Sequence, residues 1–371
     1  MTRSLNIVSF DVPFPPDFGG AVDVFFKLKA LSEAGVKIYL HVFEADRGRQ
    51  SALEKYCEQV FYYPRNKSFL NAIRLSPFIV ISRKNGKLIE NLNQSKAPVL
   101  FEGIHTTFPL KSSKFKPLRT YVRMHNIEHE YYGGLSRNEH GVVKRLFFWT
   151  ESLKLKRYQK VLKKCDHILS ISPSDQAYYE KVLGLKSTFV PAFLPYETVR
   201  HLEKKGYFAL FHGDLSISDN RRSAHFLTDV FSKLDLPFII AGRTDDKRLL
   251  SKIEAAKNIQ FIRLESQEQL DDLIQRAHIN VLWSRNSSGI KVKLLNSLFN
   301  GRFCLVNTPM VEGSGLEDLC VIADDEKALI YNLIQLMDRE YPEELFQQKK
   351  EKLQRYEKKQ NTSKLIELLY P

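Results

Sequence analysis

Between Thr188 and Pro195 the sequence reads TFVPAFLP, and Pro191 and Pro195 cut the chain into two series of apolar strands alternating with amphipathic segments. Proline has no backbone N–H for a ladder and restricts the residue before it, so regular structure stops there. Ahead of the break, apolar stretches at 5–10, 36–43, 59–63, 98–101, 120–124 and 167–172 read as strands. Helical periodicity over 21–34, ending at Gly35, and over 141–165 fills two of the intervals. Behind the break the alternation restarts, with strands at 207–211, 238–242, 259–262, 279–283 and 303–307 and helices at 223–234, 267–276 and 293–299. Strands alternating with helices predict parallel, doubly wound sheets, and 371 residues suffice for two domains that each bury a core. The tail predicts a charged helix over 343–359 and a short amphipathic one over 364–370.

Charge separates the halves further. Residues 1–190 hold 30 Lys and Arg against 17 Asp and Glu, whereas residues 191–371 hold 26 of each, so the first half carries the whole net +13. A one-sided basic field suits an anionic membrane surface, a nucleic acid or an acidic substrate; a solvated basic surface is the plain alternative. No nucleic-acid motif accompanies the charge, so no nucleic-acid partner is expected. The segment 141–165 interleaves eight Lys and Arg with Phe147, Phe148, Trp149 and other apolar residues. It reads equally as a helix lying on an anionic membrane or as a core-facing aromatic stripe with solvated lysines.

No apolar run approaches the roughly 18 residues of a membrane span, and the short N-terminal run that turns polar at Asp11 reads as a strand, not a secretory signal. Cys57, Cys165, Cys304 and Cys320 have neither metal-ligand nor redox spacing and read as buried thiols. The expected location is cytoplasmic, with peripheral contact at the inner face of the cell membrane.

Chemistry-bearing residues gather between strands and the helices that follow them. Ser287, Ser288 and Gly289 precede a helix, whose free N–H groups and dipole favour an anion, and Lys291 and Lys293 add charge suited to a diphosphate. Gly19 and Gly20 close the turn after the first strand, where missing side chains allow close approach of a ligand. His125 and His129, with Glu128 and Glu130, crowd one stretch, but they lack the helical His-Glu-x-x-His pattern of a zinc site. No Asp-x-Asp pair occurs to hold a metal on a diphosphate, so no metal and no cofactor are expected.

The stretch GIKVKLLNSLFNGRFCLV at 289–306 resembles the donor-site signature of retaining GT-B glycosyltransferases, with Gly301 at the signature glycine. HGDL at 212–215, with Asn220 beyond it, FIIAGR at 238–243 and DDLIQRAHINV at 271–281 resemble the family's preceding strands and turns, in order. RMHNIE at 123–128 resembles the His-Asn-x-Glu segment of one branch, found in bacterial enzymes that build surface polysaccharides. The resemblance implies a GT-B fold: two Rossmann-like doubly wound α/β domains facing a cleft. It places an acceptor domain at 1–190, a linker at 191–205, a donor domain at 206–342 and C-terminal helices at 343–371 that return to the first domain. It implies a hexosyltransferase-type enzyme moving a sugar, with retention, from a nucleotide diphosphate sugar to a hydroxyl of a glycan or lipid-linked acceptor. By the same resemblance His125, Asn126 and Glu128 are the catalytic candidates. Gly19, Gly20, Gly213, Arg222, Arg243, Ser288, Gly289, Ile290, Lys291, Lys293 and Asn296 form the donor site. The chain departs from the family at its paired glutamates, where Ser288 and Asn296 stand. An amide offers one acceptor oxygen and no charge, so a sugar-nucleotide-binding or scaffold paralogue without turnover is the alternative.

Overall fold

A computed structural model describes residues 3–139, 141–286 and 291–371. The chain forms two compact units, Met1–Pro195 with Arg355–Pro371, and Tyr196–Gln354.

The first unit is built on β1 (Ser4–Ser9), β2 (Lys37–Glu44), β3 (Gln59–Pro64), β4 (Val99–Glu102), β5 (Thr120–Met124), β6 (His167–Ser170) and β7 (Ser187–Phe189). They form one parallel sheet in the order β3-β2-β1-β4-β5-β6-β7. Helices cover both faces of such a sheet, which is why β4, β5 and β6 are buried along their whole length. Polar residues inside the sheet find partners. His41 on β2 bonds Tyr63 Oη through Nδ1 at 2.9 Å and Asn6 Oδ1 through Nε2 at 3.3 Å. Burial pushes this histidine down to about 3, so it is neutral.

The second unit repeats the plan with β8 (Ala209–Asp214), β9 (Phe238–Arg243), β10 (Ile259–Arg263), β11 (Ile279–Leu282), β12 (Phe303–Val306) and β13 (Val321–Ile322), ordered β10-β9-β8-β11-β12-β13 and parallel. In both units the order reverses beside the first strand, between β1 and β4 and between β8 and β11. Loops diverge there at the strands' carboxyl ends and leave a crevice for ligands.

Two predicted helices come out differently. The segment 141–165 is an α-helix over Val142–Tyr158 that tightens into a 3-10 turn over Gln159–Lys164, bringing Val161 and Leu162 into the core ahead of β6. The segment 343–359 stops as an α-helix at Leu353 and passes through a 3-10 turn at Gln354–Tyr356, where Tyr356 is buried and the chain leaves the second unit. The last helix, Lys358–Leu369, then packs in the first unit. Leu365 and Leu369 join its core, Asn361 Nδ2 donates to Pro191 O at 2.8 Å, and Tyr370 Oη donates to Ser4 O at 2.7 Å. No helix among the described residues is long and apolar enough to cross a membrane.

Candidate functional site

In the second unit, glycines bring the backbone close at the reversal point. A Cβ on Gly242, at the end of β9, would lie 2.2 Å from the carbonyl oxygen of Gly213 on β8. A Cβ on Gly301 would lie 2.8 Å from the carbonyl oxygen of Ser297 and 2.3 Å from Asn280 Nδ2 on β11, so glycine suits the close end of the helix Val292–Asn300 against that strand. The predicted signature glycine therefore has a packing reason.

Two helix N-termini meet at this edge of the sheet. The helices Lys247–Glu254, Gln267–Arg276 and Glu326–Asp338 are capped by the side chains of Asp246, Ser266 and Asp325. Among the described residues, the helices Ser218–Phe231 and Val292–Asn300 have no side-chain cap. Their first N–H groups keep their donor capacity and the positive end of each dipole. Lys293 stands over this point, donating to Asn220 Oδ1 at 2.9 Å and Trp283 O at 3.3 Å, with its ammonium 5.4 Å from the centre of the Phe211 ring. None of the described carboxylates lies within ion-pair distance of it. Burial lowers its pKa to about 8, Asp219 opposing and Lys291 adding to the shift. Asp219 is otherwise engaged, accepting from Ser284 Oγ at 2.7 Å and Arg285 N at 2.9 Å, which pins the loop after β11. The result is a partly buried cation beside two helix ends that no described side chain caps, an arrangement suited to an anion.

The other predicted donor residues are spread around this point. Gly213 sits at the end of β8, and Lys291 is the N-cap of Val292–Asn300. Asn296 lies on that helix, buried, and no described residue bonds its side-chain amide. Arg222 is half-buried on the helix Ser218–Phe231, whereas Arg243 is exposed and turns its Nε to Leu264 O at 3.1 Å. Ser288, Gly289 and Ile290 lie outside the described residues. A shallow cavity of about 340 Å³ opens beside the loop after β11, lined by Trp283, Ser284, Arg285 and Asn307 and by acidic residues that include Asp324 and Asp325.

In the first unit the same topological position holds a buried charge cluster. Gly19 and Gly20 are not a loop; they are the first two residues of the helix Gly19–Glu33. One and two turns further, Asp23 and Lys27 point inward, both fully buried. Arg123 on β5 binds Asp23 bidentately, Nε to Oδ2 and Nη2 to Oδ1, each at 2.8 Å, and also donates to Val190 O and Pro191 O. Lys27 bridges Asp23 at 3.0 Å and Glu102, the last residue of β4, at 2.8 Å. His125 follows β5 and completes the cluster, with Nε2 3.0 Å from Glu102 Oε2 and Nδ1 4.0 Å from Asp23 Oδ2. Burial alone raises both carboxyls. Arg123 and Lys27 outweigh it at Asp23, as Lys27 and His125 do at Glu102, holding both below the usual range.

Asp23, Glu102 and His125 bring their ligand atoms within 4.8 Å of one another. The two carboxylates already neutralise Lys27 and Arg123, so a metal ion here would leave a surplus of buried positive charge. The donor set does not fit a metal.

The cluster fixes the His125 ring, and Phe10 meets its edge with centroids 5.6 Å apart. Asn126 is half-buried and donates to Glu128 Oε1 at 3.4 Å. Glu128 opens the helix Glu128–Asn138, and burial pushes its carboxyl up to about 7 against that hydrogen bond, with Asp175 adding to the rise. The structure thus joins His125, Asn126 and Glu128 in one local arrangement, but the groups that meet the histidine's ring nitrogens are Glu102 and Asp23, which Lys27 and Arg123 hold in turn. Motif reading passed over those four. Their signal is a charged residue inside an apolar run: Asp23 and Lys27 four apart in GGAVDVFFKLKAL, Glu102 ending VLFE, and Arg123 within TYVRM.

The fold and the paired crevices define a class. Over 99% of its length this chain matches a sucrose-phosphate synthase of Thermosynechococcus elongatus, with a TM-score of 0.70 at 14% identity and 98% of that chain covered. A UDP-forming trehalose-phosphate synthase of Burkholderia xenovorans, in complex with glucose-6-phosphate, matches with a TM-score of 0.68 at 11% identity over 100% of both chains. An E. coli trehalose-6-phosphate structure bound with UDP-2-fluoro glucose matches at 0.67 and 10% identity over 99% of both. The likeness shows the fold, which is GT-B. No family model matches the chain. A Klebsiella pneumoniae protein described as an uncharacterized 44.6 kDa protein in the cps region is 26% identical over 349 residues, 88% of this chain and 89% of the relative.

Proposed function

We propose that this chain is a glycosyltransferase that moves a sugar from a nucleotide diphosphate sugar to a hydroxyl of a glycan or lipid-linked acceptor, with retention, in the assembly of a bacterial surface polysaccharide. One observation carries the donor assignment: Lys293, half-buried and, among the described residues, without a carboxylate partner, stands beside two helix N-termini that no described side chain caps. When the bond from the anomeric carbon to the diphosphate oxygen breaks, negative charge grows on the leaving diphosphate. A fixed ammonium and two helix dipoles stabilise that charge without reorganising. The acceptor oxygen forms the new bond to the anomeric carbon, and its proton passes to the oxygen of the leaving diphosphate. In this reading Lys291, Gly213 and the 288–290 segment complete the phosphate contacts, Arg222 and Arg243 border the site, and Asn296 takes the ribose. His125, held by Glu102, borders the sugar, with Asn126 and Glu128 behind it.

Supporting the donor class, solved structures of this fold carry UDP-2-fluoro glucose and UDP-glucose. The polysaccharide context is supported by the relative from a cps region. Asn296, in place of a family glutamate, favours a second reading in which the protein binds the sugar nucleotide without turnover.

A thermal-shift screen of nucleotide sugars, followed by measurement of nucleoside diphosphate release with and without chelator, tests both. A stabilising ligand with release that persists in EDTA is expected. Stabilisation without release selects the binding protein, and release abolished by EDTA and restored by Mg²⁺ overturns the metal-free mechanism.

A further inference from the structure

The helix Val142–Tyr158 has two apolar faces. At 100° per residue, Glu151, Leu155 and Tyr158 fall on one side, and all three are buried. Val142, Leu146, Trp149 and Leu153 recur at i, i+4, i+7 and i+11 on the opposite side, and that stripe is bare. Val142 is 79% exposed and Trp149 54%. Beside the helix runs a second exposed apolar stretch, in which Phe69 is 80% and Leu75 85% exposed, with Leu70 and Ile73 between them. The two are tied together. Lys154 Nζ donates to Ala72 O at 2.9 Å and Arg74 O at 3.3 Å, Phe78 N donates to Glu151 Oε2 at 2.7 Å, and the Phe78 and Phe147 rings meet edge to face.

Two neighbouring sets of large apolar side chains in water mark a docking surface, and charge selects the occupant. The chain has no acidic residue between Glu58 and Glu90, and between Gly141 and Cys165 its one acidic residue is Glu151, buried and engaged with Lys154 and Phe78. Helical geometry sets Arg145 and Lys156 on one flank of the stripe and Arg157 on the other, and Arg74 lies in the neighbouring stretch. An apolar stripe that includes a tryptophan, flanked by cations and free of exposed acid, matches the headgroup boundary of an anionic bilayer.

We propose that the bare stripe of Val142–Tyr158 and the 69–75 stretch insert together into the surface of an anionic lipid bilayer, and that this is how the first unit meets its acceptor. The last clause rests on the glycosyltransferase reading. Along the chain the helix Glu128–Asn138, about 16 Å long, lies between His125 and the helix that carries the stripe.

The chain has two tryptophans, and Trp283 is buried at 7% exposure, so Trp149 reports on the stripe. Full-length protein is titrated with vesicles of phosphatidylcholine and of phosphatidylcholine with phosphatidylglycerol. The expected result is a blue-shifted Trp149 emission, quenched by brominated lipid, with the anionic vesicles. Leu146→Asp, at a solvent-exposed position that leaves the core intact, lowers vesicle affinity at least about tenfold. Arg145→Glu with Lys156→Glu does the same at low salt and loses its effect at high salt. Unchanged emission with anionic vesicles at low salt overturns the proposal, as does Leu146→Asp binding like the wild type. Self-association without vesicle binding overturns it too, making the stripe a protein interface. Vesicle binding needs neither nucleotide nor turnover, so its failure is separable from failure of the catalytic reading.

Discussion

The proposed assignment of Lys293 to the diphosphate makes donor binding depend on pH in a calculable way. The Lys293 pKa of about 8 means the ammonium is about nine-tenths protonated at pH 7 and about one-tenth at pH 9. A diphosphate selects the charged form, so its dissociation constant rises about tenfold between these pH values, or about 1.4 kcal/mol. Nucleotide diphosphate sugars are the right ligands, because their diphosphate keeps its charge over this range. Calorimetric titrations at several pH values give the profile. Lys293→Met removes the ammonium while keeping its apolar stem, and is expected to weaken binding at pH 7 by about 1.5–3 kcal/mol, the range for hydrogen bonds to charged groups. Its profile should also lose the rise above pH 8, and any titration of the ligand's own base, which persists in the variant, is thereby subtracted. A wild-type constant that is flat from pH 7 to pH 9, or a methionine variant that keeps the slope, would refute the assignment of Lys293 to the diphosphate.

The first unit yields three more expectations. Asp23→Asn leaves Arg123 and Lys27 with Glu102 as their one carboxylate in the cluster and should cost about 3–5 kcal/mol in urea unfolding; a loss below about 1 kcal/mol would show that the cluster is not a coupled unit. His125→Ala should lower turnover far more than nucleotide affinity, because the ring lies in the first unit with Glu102 and not with Lys293; an equal loss in both contradicts its place beside the sugar. Glu128 has its folded pKa raised to about 7 from an ordinary 4.5, so the folded state holds the proton more tightly and stability falls as pH rises through that window, by up to about 3 kcal/mol. Glu128→Gln should therefore stabilise the protein at pH 8 and change little near pH 4, and equal effects at both pH values would locate its carboxyl in water.

The strands were legible because buried parallel strands write themselves as unbroken apolar runs. Thr120–Met124 comes out where its alternation with turn residues predicts, and β1, β2 and β4 are each displaced by one residue, the usual ambiguity of a strand end. The residues proposed for the phosphate site were legible for a local reason: glycine, lysine and a helix start fall within a few positions. The charge cluster was not. Asp23, Glu102 and Arg123 are far apart in sequence, and what unites them is the reversal of strand order beside β1, which carries the first helix, β4 and β5 to one crevice. Periodicity reports which face of an element is apolar and is silent about which elements meet.

The helix Val142–Tyr158 shows the opposite failure. Its sequence admitted a core helix and a membrane-surface helix, and neither description holds for the whole of it. Apolar residues occur on both sides, so a single best apolar direction is ill defined. The inward face is settled by neighbours distant in the chain: Phe78, whose ring meets Phe147, and Thr107, whose hydroxyl lies 3.2 Å from Tyr158 Oη. The outward face has no such neighbours among the described residues, and its composition is unlike that of an ordinary solvated face. Exposed valine, leucine and tryptophan bring no gain to a lone protein in water and raise its risk of association. Their presence at four successive stripe positions, between arginines and lysines, has no account in what holds the helix together and fits the bilayer docking proposed for it.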